Sequence, residues 1–120
     1  MAEPMIESES ERDILRTVQA QMYEGRFDAA LDLLGGLREQ APTNAEALYL
    51  SAVCARYLKR PEAALEFLTR LKSASPDFGR AYQEEGHLLR EAGELNRALV
   101  AFQRACRFNP ALEASWRAQA

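Results

Sequence analysis

Apolar and polar residues alternate with a helical period along most of the chain, and the pattern repeats every 34 residues. Pro42, Pro76 and Pro110 mark this repeat. Alanine stands twelve positions before each of these prolines, and leucine or phenylalanine stands eight positions before. A repeat of this length predicts stacked pairs of amphipathic helices, each pair joined by a tight turn.

The predicted helices form three pairs. Valine, isoleucine and threonine together number only eight in the chain, which favours helix over sheet. Breaks inside the pairs fall at Gly25, at the Arg60-Pro61 step and at Gly93, and a proline follows each pair. The predicted fold is therefore all-α. Its first helices span 11–24, 45–58 and 79–92, and its second helices span 27–40, 62–74 and 95–108.

Small residues mark the places where the two helices of a pair are expected to approach closely. Gly86 and Ala52 occupy equivalent positions in the first helices, and Phe102 and Leu68 occupy equivalent positions in the second helices. Helices about 8–10 Å apart need a small residue opposite a large one. We therefore expect Gly86 to pack against the second helix of its own pair.

The repeat pattern resembles that of the tetratricopeptide repeat (TPR) family. The third unit departs from the family at Glu85 and Leu89, where leucine and tyrosine are usual, and the middle unit departs at Ala55. The first unit is the most divergent, with Val18 and Gln21 at the small and tyrosine positions. The positions that carry the resemblance in the third unit are Tyr82, Gly86, Ala98, Phe102, Ala105 and Pro110.

This resemblance covers residues 11–112 and implies a right-handed superhelical stack of antiparallel helix pairs. It places the three repeats at 11–44, 45–78 and 79–112. Family members usually bind extended peptides or partner helices in the concave groove formed by their first helices. A protein or peptide partner is therefore what the resemblance implies.

Both ends of the chain lie outside these repeats. Residues 1–10 are acidic and polar and lack the features of a signal peptide, so we expect a disordered tail and a cytoplasmic protein. Residues 113–120 place Trp116 in the column of Ile14, Leu48 and Tyr82. This segment begins either a capping helix over the apolar end of the stack or a fourth repeat. The absence of a polar closing turn favours a piece of a longer protein.

Two segments narrow the resemblance further. Residues 77–87 and 109–117 are similar to the N-terminal repeats of bacterial TPR–sulfotransferase fusion proteins. In those proteins the repeats precede a domain that uses 3′-phosphoadenylyl sulfate. This resemblance implies an accessory module that positions a protein substrate, although neither segment contains a catalytic motif.

Composition and charge exclude several classes of partner. The formal net charge of −3 argues against binding to a nucleic-acid backbone, and no apolar run is long enough to span a membrane.

Two residue types add to the picture. Thirteen of the fifteen basic residues are arginine, a bias typical of a high-GC bacterial gene. Cys54 and Cys106 lie far apart in sequence without a CxxC motif, so we expect inert thiols rather than a disulfide or a zinc site.

Residues for catalysis are almost absent. His87 is the single histidine, and no phosphate-binding glycine loop or hydrolase motif occurs. Glu84 and His87 have the Glu-x-x-His spacing of di-iron bundles, but a second such pair is lacking. We therefore expect a chain that is not an enzyme and needs no metal or cofactor.

The groove candidates follow from the TPR resemblance, position by position. Tyr49, Val53 and Tyr57 are four residues apart and form one stripe, which either lines the groove or packs as core. Arg56, Arg80 and Arg90 are positioned to hold carboxylates beside this stripe. The full set is Arg12, Leu15, Gln19, Met22 and Tyr23 from the first repeat, Glu46, Tyr49, Val53, Arg56 and Tyr57 from the second, and Arg80, Gln83, His87, Arg90 and Glu91 from the third.

The expected function is a non-catalytic scaffold for protein–protein interaction. Self-association through an exposed apolar end is an alternative, as is the sulfotransferase accessory module. Binding of chaperone C-termini is excluded, because Leu15, Leu50 and Glu84 stand where that carboxylate clamp needs lysine, asparagine and arginine. Only Arg80 suits the clamp.

Overall fold

The computed structural model describes residues 9–110, which form six α-helices and no strand. The all-α helical repeat predicted from the sequence is confirmed. Helix α1 begins at Glu9 rather than at residue 11, so Glu9 and Ser10 belong to the helix and not to a disordered tail. Residues 1–8 and 111–120, including the predicted capping segment, lie outside the described part. The helices are α1 Glu9–Tyr23, α2 Phe27–Gln40, α3 Ala45–Tyr57, α4 Pro61–Ala74, α5 Gly79–Glu91 and α6 Leu95–Phe108.

Local chemistry sets where the helices begin and end. The Asn44 side chain accepts a hydrogen bond from the Ala47 backbone N–H at 3.0 Å and caps α3. Pro61 opens α4, where its missing N–H is not needed. The turns within the pairs pass through the left-handed region at Gly25, Lys59 and Gly93, which are equivalent positions of the repeat with φ of 80°, 63° and 83°.

The core lies along both sides of α3. One cluster joins α3 to α1 and α2, with Ala47, Leu50 and Cys54 as the buried contributions of α3. The other joins α3 to α4 and α5, with Leu48, Ala52 and Ala55 as its contributions. Because α3 is buried on both sides, it fixes the neighbouring helix pairs relative to one another.

Gly86 marks a close approach between α5 and the Phe102 side chain of α6. A Cβ atom at this position would lie 2.7 Å from Cε1 of Phe102, which is closer than real Cβ contacts. The close approach predicted from the small-residue column is therefore confirmed. Phe102 itself is buried and fills the space that the glycine leaves.

Cys54 lies buried in the first core cluster. Burial raises the pKa of its thiol to about 11, so the thiolate is not populated near neutral pH. This agrees with the inert, structural role expected for a cysteine on an apolar helix face.

Candidate functional site

Seven side chains from three helices line a shallow, open apolar depression, which we call the aromatic pocket. Helix α1 contributes side chains three and four residues apart, and α3 does the same, so each helix presents one face to the pocket. The pocket encloses about 400 Å³. It is lined by Gln19, Met22, Tyr23, Phe27, Leu50, Val53 and Tyr57.

The aromatic pocket unites five of the sequence-derived groove positions, Gln19, Met22, Tyr23, Val53 and Tyr57. It also contains two residues that sequence reasoning did not select. Phe27 is the first residue of α2, and second helices were not expected to reach the groove. Leu50 was considered only as a mismatch to the carboxylate clamp, although its position three residues before Val53 places it on the same helix face.

A stacked pair of rings forms one wall of the aromatic pocket. The ring centroids of Phe27 and Tyr57 are 4.6 Å apart and their planes differ by 3°. Tyr57 is 53% exposed and Tyr23 is 95% exposed, so both rings present area to solvent. Because Phe27 stacks on the Tyr57 ring and holds it in place, a ligand can bind to the exposed area of Tyr57 without further ordering of that side chain.

Arg56 lies at the centre of an ion cluster between α3 and α5. Its Nε donates to the Glu84 carboxylate, and its Nη1 lies 2.8 Å from Oε2 of Glu91. The Arg56 side chain is 14% exposed and the Glu84 side chain only 4%. Burial raises the pKa of the Glu84 carboxyl, and the charge and hydrogen bond of Arg56 oppose that effect.

Arg80 forms a second bridge between α3 and α5. Its Nη2 lies 2.8 Å from Oε1 of Glu46, and its guanidinium carbon lies 4.6 Å from the ring centroid of Tyr49. Phe78 packs against the same tyrosine, with ring centroids 5.8 Å apart. Tyr49 also packs against both core clusters, so the predicted stripe divides into a packing residue, Tyr49, and two pocket residues, Val53 and Tyr57.

These ion pairs change the expected role of two arginines. Arg56 and Arg80 were expected to hold carboxylates of a ligand, whereas in the structure they hold glutamates of the chain itself. Sequence spacing gives no signal for these bonds, because Arg56 and Glu84 are 28 residues apart in the chain. The ion pairs of Arg56 and Arg80 each join a residue of the second repeat to a residue of the third.

The remaining candidates lie on the first helices outside the aromatic pocket. Arg90 Nη2 lies 3.0 Å from Nδ1 of His87, and the His87 ring meets the Phe102 ring edge-on, with centroids 5.3 Å apart. Gln83 is half-buried on α5, and Arg12 is exposed on α1. The structure therefore leaves the charged candidates outside the aromatic pocket, on α1, α3 and α5, and buries Leu15 in the first core cluster.

His87 should remain neutral to unusually low pH. Burial, together with the nearby charges of Arg56 and Arg90, lowers its pKa from 6.5 to about 4, and Glu91 opposes this shift. The unfolded chain therefore binds more protons than the folded chain between these two pH values. By linkage, the free energy of unfolding falls as the pH drops from 6.5 towards 4.

An NMR titration of the His87 ring protons measures this pKa directly, because the chain has a single histidine. The expected midpoint is near 4, and a midpoint near 6.5 would contradict the neutral assignment. His87→Gln provides the stability control. This variant should lose the part of the acid destabilisation that is due to imidazole protonation.

Residues 9–110 contain neither a metal-binding cluster nor a helix able to span a membrane. No group of three or more His, Cys, Asp or Glu side chains in this part of the chain could hold a metal ion. None of the six helices combines the length and the apolar character that a membrane crossing requires.

Comparison with protein-family models finds the tetratricopeptide repeat. One model of this repeat matches residues 21–85, and a second matches residues 79–112. The first match alone covers more than half of the 120 residues of the chain. A comparison with curated proteins gave no match.

Three solved structures show the same fold at low sequence identity. The first TPR domain of human RPAP3 is 18% identical, with a TM-score of 0.76 over 81% of this chain and 76% of that one. The Yersinia enterocolitica type III secretion translocator chaperone SycD is 14% identical, with a TM-score of 0.80 over 91% and 77%. The first TPR of Spaghetti (RPAP3), bound to the HSP90 peptide SRMEEVD, is 17% identical, with a TM-score of 0.78 over 88% and 83%.

Proposed function

The chain belongs to the tetratricopeptide repeat family, and we propose that it is a non-catalytic module that binds an extended segment of a partner protein in its concave groove. The observation that carries the proposal is the aromatic pocket. Its exposed rings and apolar floor have the composition typical of pockets that anchor a partner's side chain. The location of the pocket between the first helices of two repeats supports this use.

The chemistry of the pocket favours an apolar anchor on the ligand. Gln19 is the one lining residue with a polar side chain other than the tyrosines, and the other lining residues are apolar. Arg56 and Arg80 already hold glutamates of the chain, so a ligand carboxylate would have to displace them. We therefore propose that a leucine, methionine or aromatic side chain of the partner enters between Tyr23 and Tyr57.

Recognition of an acidic C-terminal tail is not part of this proposal. The Spaghetti domain was solved with the HSP90 peptide SRMEEVD, and its fold resembles this chain. In this chain, however, Glu84 is a buried carboxylate at one of the three clamp positions that need a basic or amide side chain. A buried carboxylate repels the charge that such a clamp attracts.

Peptide selection tests the proposed groove. Peptides selected from a phage-displayed random library on the wild-type chain should share an apolar residue. Tyr57→Ala is expected to weaken their binding at least about tenfold, because an exposed aromatic anchor is lost. Tyr23→Ala should weaken binding without loss of stability, since its ring is 95% exposed and contributes little to the fold.

Leu65→Ala is the matched control, because Leu65 is an exposed apolar residue on α4, outside the aromatic pocket. Its binding should equal that of the wild type. Peptides that bind Tyr57→Ala and Tyr23→Ala as tightly as the wild-type chain would disprove the aromatic pocket as the binding site. Melting curves of all three variants separate binding defects from unfolding.

The sulfotransferase alternative concerns the context of this module rather than its groove. It is supported by the similarity of residues 77–87 and 109–117 to the repeats of bacterial TPR–sulfotransferase fusion proteins. Sequencing the natural reading frame downstream of Ala120 tests it. A following domain with a sulfate-donor-binding loop would make the groove a substrate-handling site, and a stop codon would exclude this alternative.

Self-association is a second alternative, and exposed apolar side chains on α6 support it. Leu95, Leu99 and Val100 all lie exposed there. Light scattering distinguishes a monomer from a self-associating chain, because a monomer keeps a molar mass of 13.5 kDa at every concentration.

We also propose a cytoplasmic location, which the free thiols of Cys54 and Cys106 support.

A further inference from the structure

The junctions between successive helix pairs can be compared position by position, since equivalent residues are 34 apart. At the first junction, Arg38 of α2 crosses to the second pair. Its Nη1 donates to the Ser51 hydroxyl at 2.7 Å, and its guanidinium carbon lies 4.5 Å from the ring centroid of Phe67. Arg70 lies 5.9 Å from the same ring. The Phe67 ring therefore fills this junction and is flanked by two cations.

The second junction has cations at the same two positions but lacks the ring. Lys72 replaces Arg38, and its Nζ lies 3.1 Å from Oε1 of Glu85, the equivalent of Ser51. Arg104 is the equivalent of Arg70. Ala101 stands at the position of Phe67, so a methyl group replaces an aromatic side chain.

A pocket between α5 and α6 is lined in part by Ala101, the position that lacks the ring, and we call it the second-junction pocket. It encloses about 360 Å³. Leu89, Val100 and Ala101 supply its apolar surface. It shares no residue with the aromatic pocket, and it is lined by Glu85, Leu89, Asn96, Arg97, Val100, Ala101 and Arg104.

The charges around the second-junction pocket are mostly positive. Glu85 is engaged by Lys72, whose ammonium also lies 5.1 Å from the ring centroid of Tyr82. Arg97 is an exposed side chain whose Nη1 lies 3.5 Å from Oε1 of Glu94, a long contact at the surface. Arg104 is exposed beside it. Two guanidinium groups therefore border an apolar pocket and favour a negatively charged occupant.

We propose that the second-junction pocket binds an aromatic side chain of a partner peptide that carries an acidic residue next to it. Phe67 and its flanking arginines show what this position of the repeat accommodates when a ring is present. In the second junction the ring comes from the partner, Arg104 lies against it as Arg70 lies near Phe67, and Arg97 pairs with the adjacent carboxylate. This site is independent of the groove proposed above.

Chemical-shift mapping with short peptides tests this site on the whole chain. The probe is the N-acetylated, C-amidated peptide Gly-Phe-Asp-Gly, and its matched controls are Gly-Ala-Asp-Gly and Gly-Phe-Lys-Gly. The expected dissociation constant is about 1 mM, as befits one buried side chain. The amide signals of Leu89, Val100 and Ala101 should shift with the first peptide. Each control peptide should bind at least about fivefold more weakly.

Two variants make the outcome decisive. Ala101→Phe restores within the chain the ring that the first junction has, so it should abolish the peptide-induced shifts. Arg97→Glu reverses the charge of an exposed side chain and keeps the fold, and it should weaken binding of the Gly-Phe-Asp-Gly peptide while improving binding of the Gly-Phe-Lys-Gly peptide. If Ala101→Phe does not fold, the binding of the two charged peptides to the charge-reversal variant tests the proposal by itself.

Three results would overturn the proposal. The first is equal binding of both charged peptides to the wild-type chain and to Arg97→Glu. The second is a set of shifts confined to the aromatic pocket, around Val53 and Tyr57. The third is a concentration-dependent shift of Leu89 and Val100 without any peptide, since a second copy of the chain would then occupy the pocket.

Discussion

Gly86→Leu is expected to lower the free energy of unfolding by about 3 kcal/mol, the upper end of the range for an overpacked core. A Cβ atom at this position already lies 2.7 to 2.8 Å from three ring carbons of Phe102. The rest of a leucine side chain would force α5 and α6 apart. Leucine is a better helix former than glycine by about 1 kcal/mol, so intrinsic propensity acts in the opposite direction.

Gly36→Leu is the matched control for Gly86→Leu. Gly36 lies inside α2, and a Cβ atom there would meet nothing within 4 Å. The same substitution should therefore raise stability there by about 0.5–1 kcal/mol through helix propensity. Urea denaturation of both variants measures the two effects, and the double variant Gly86→Leu/Phe102→Ala should be less overpacked than Gly86→Leu. Equal effects at positions 86 and 36 would contradict the close approach.

The helices and the Gly86 contact were predictable because the same 34-residue pattern occurs three times in the chain. Each proline recurs at a fixed offset, and Ala52 and Gly86 share the small-residue position that Val18 holds in the first unit, so an ambiguous unit is interpreted with the help of the others. The left-handed turn at Lys59 was not predicted, because lysine gives no local signal for positive φ. Its equivalence to Gly25 and Gly93 is the signal that was available.

The candidate site was predictable in part. Val53 and Tyr57 were placed on one stripe because spacing along a helix fixes which side chains share a face, and both line the aromatic pocket. The partner of each arginine was not predictable. Arg56 meets Glu84 across two helices, and such a contact depends on the superhelical geometry rather than on any local pattern. Whether the aromatic pocket binds a peptide stays a prediction.

The two junctions illustrate how the same repeat produces different surfaces. The first junction is filled by Phe67 under Arg38, whereas the second junction holds Ala101 and an ion pair between Lys72 and Glu85. The main-chain architecture is shared, so the difference comes from a few side chains. A stack of nearly identical units can thereby carry distinct pockets along its length.

Arg56→Met is expected to lower the free energy of unfolding by about 3–5 kcal/mol, because it leaves the Glu84 carboxylate buried without its cation. Glu84 is 3% exposed, so water cannot replace the lost partner. Glu84→Leu should cost less, since Arg56 keeps its bond to Glu91 at 2.8 Å. The double variant Arg56→Met/Glu84→Leu should recover most of the stability, because an apolar pair needs no compensating charge.

The pH dependence of Arg56→Met separates a stranded charge from simple loss of packing. Burial raises the folded-state pKa of Glu84 above its usual 4.5, and without Arg56 nothing in the pair opposes this rise. The folded chain then binds a proton more readily than the unfolded chain, so stability increases as the pH falls from 7 towards 4.5. The double variant should lack this increase. Both variants lack Arg56, so the opposite contribution of His87 largely cancels between them. Parallel urea denaturation at pH 7 and pH 5 measures the difference, and identical pH profiles for the two variants would show that Glu84 is not stranded.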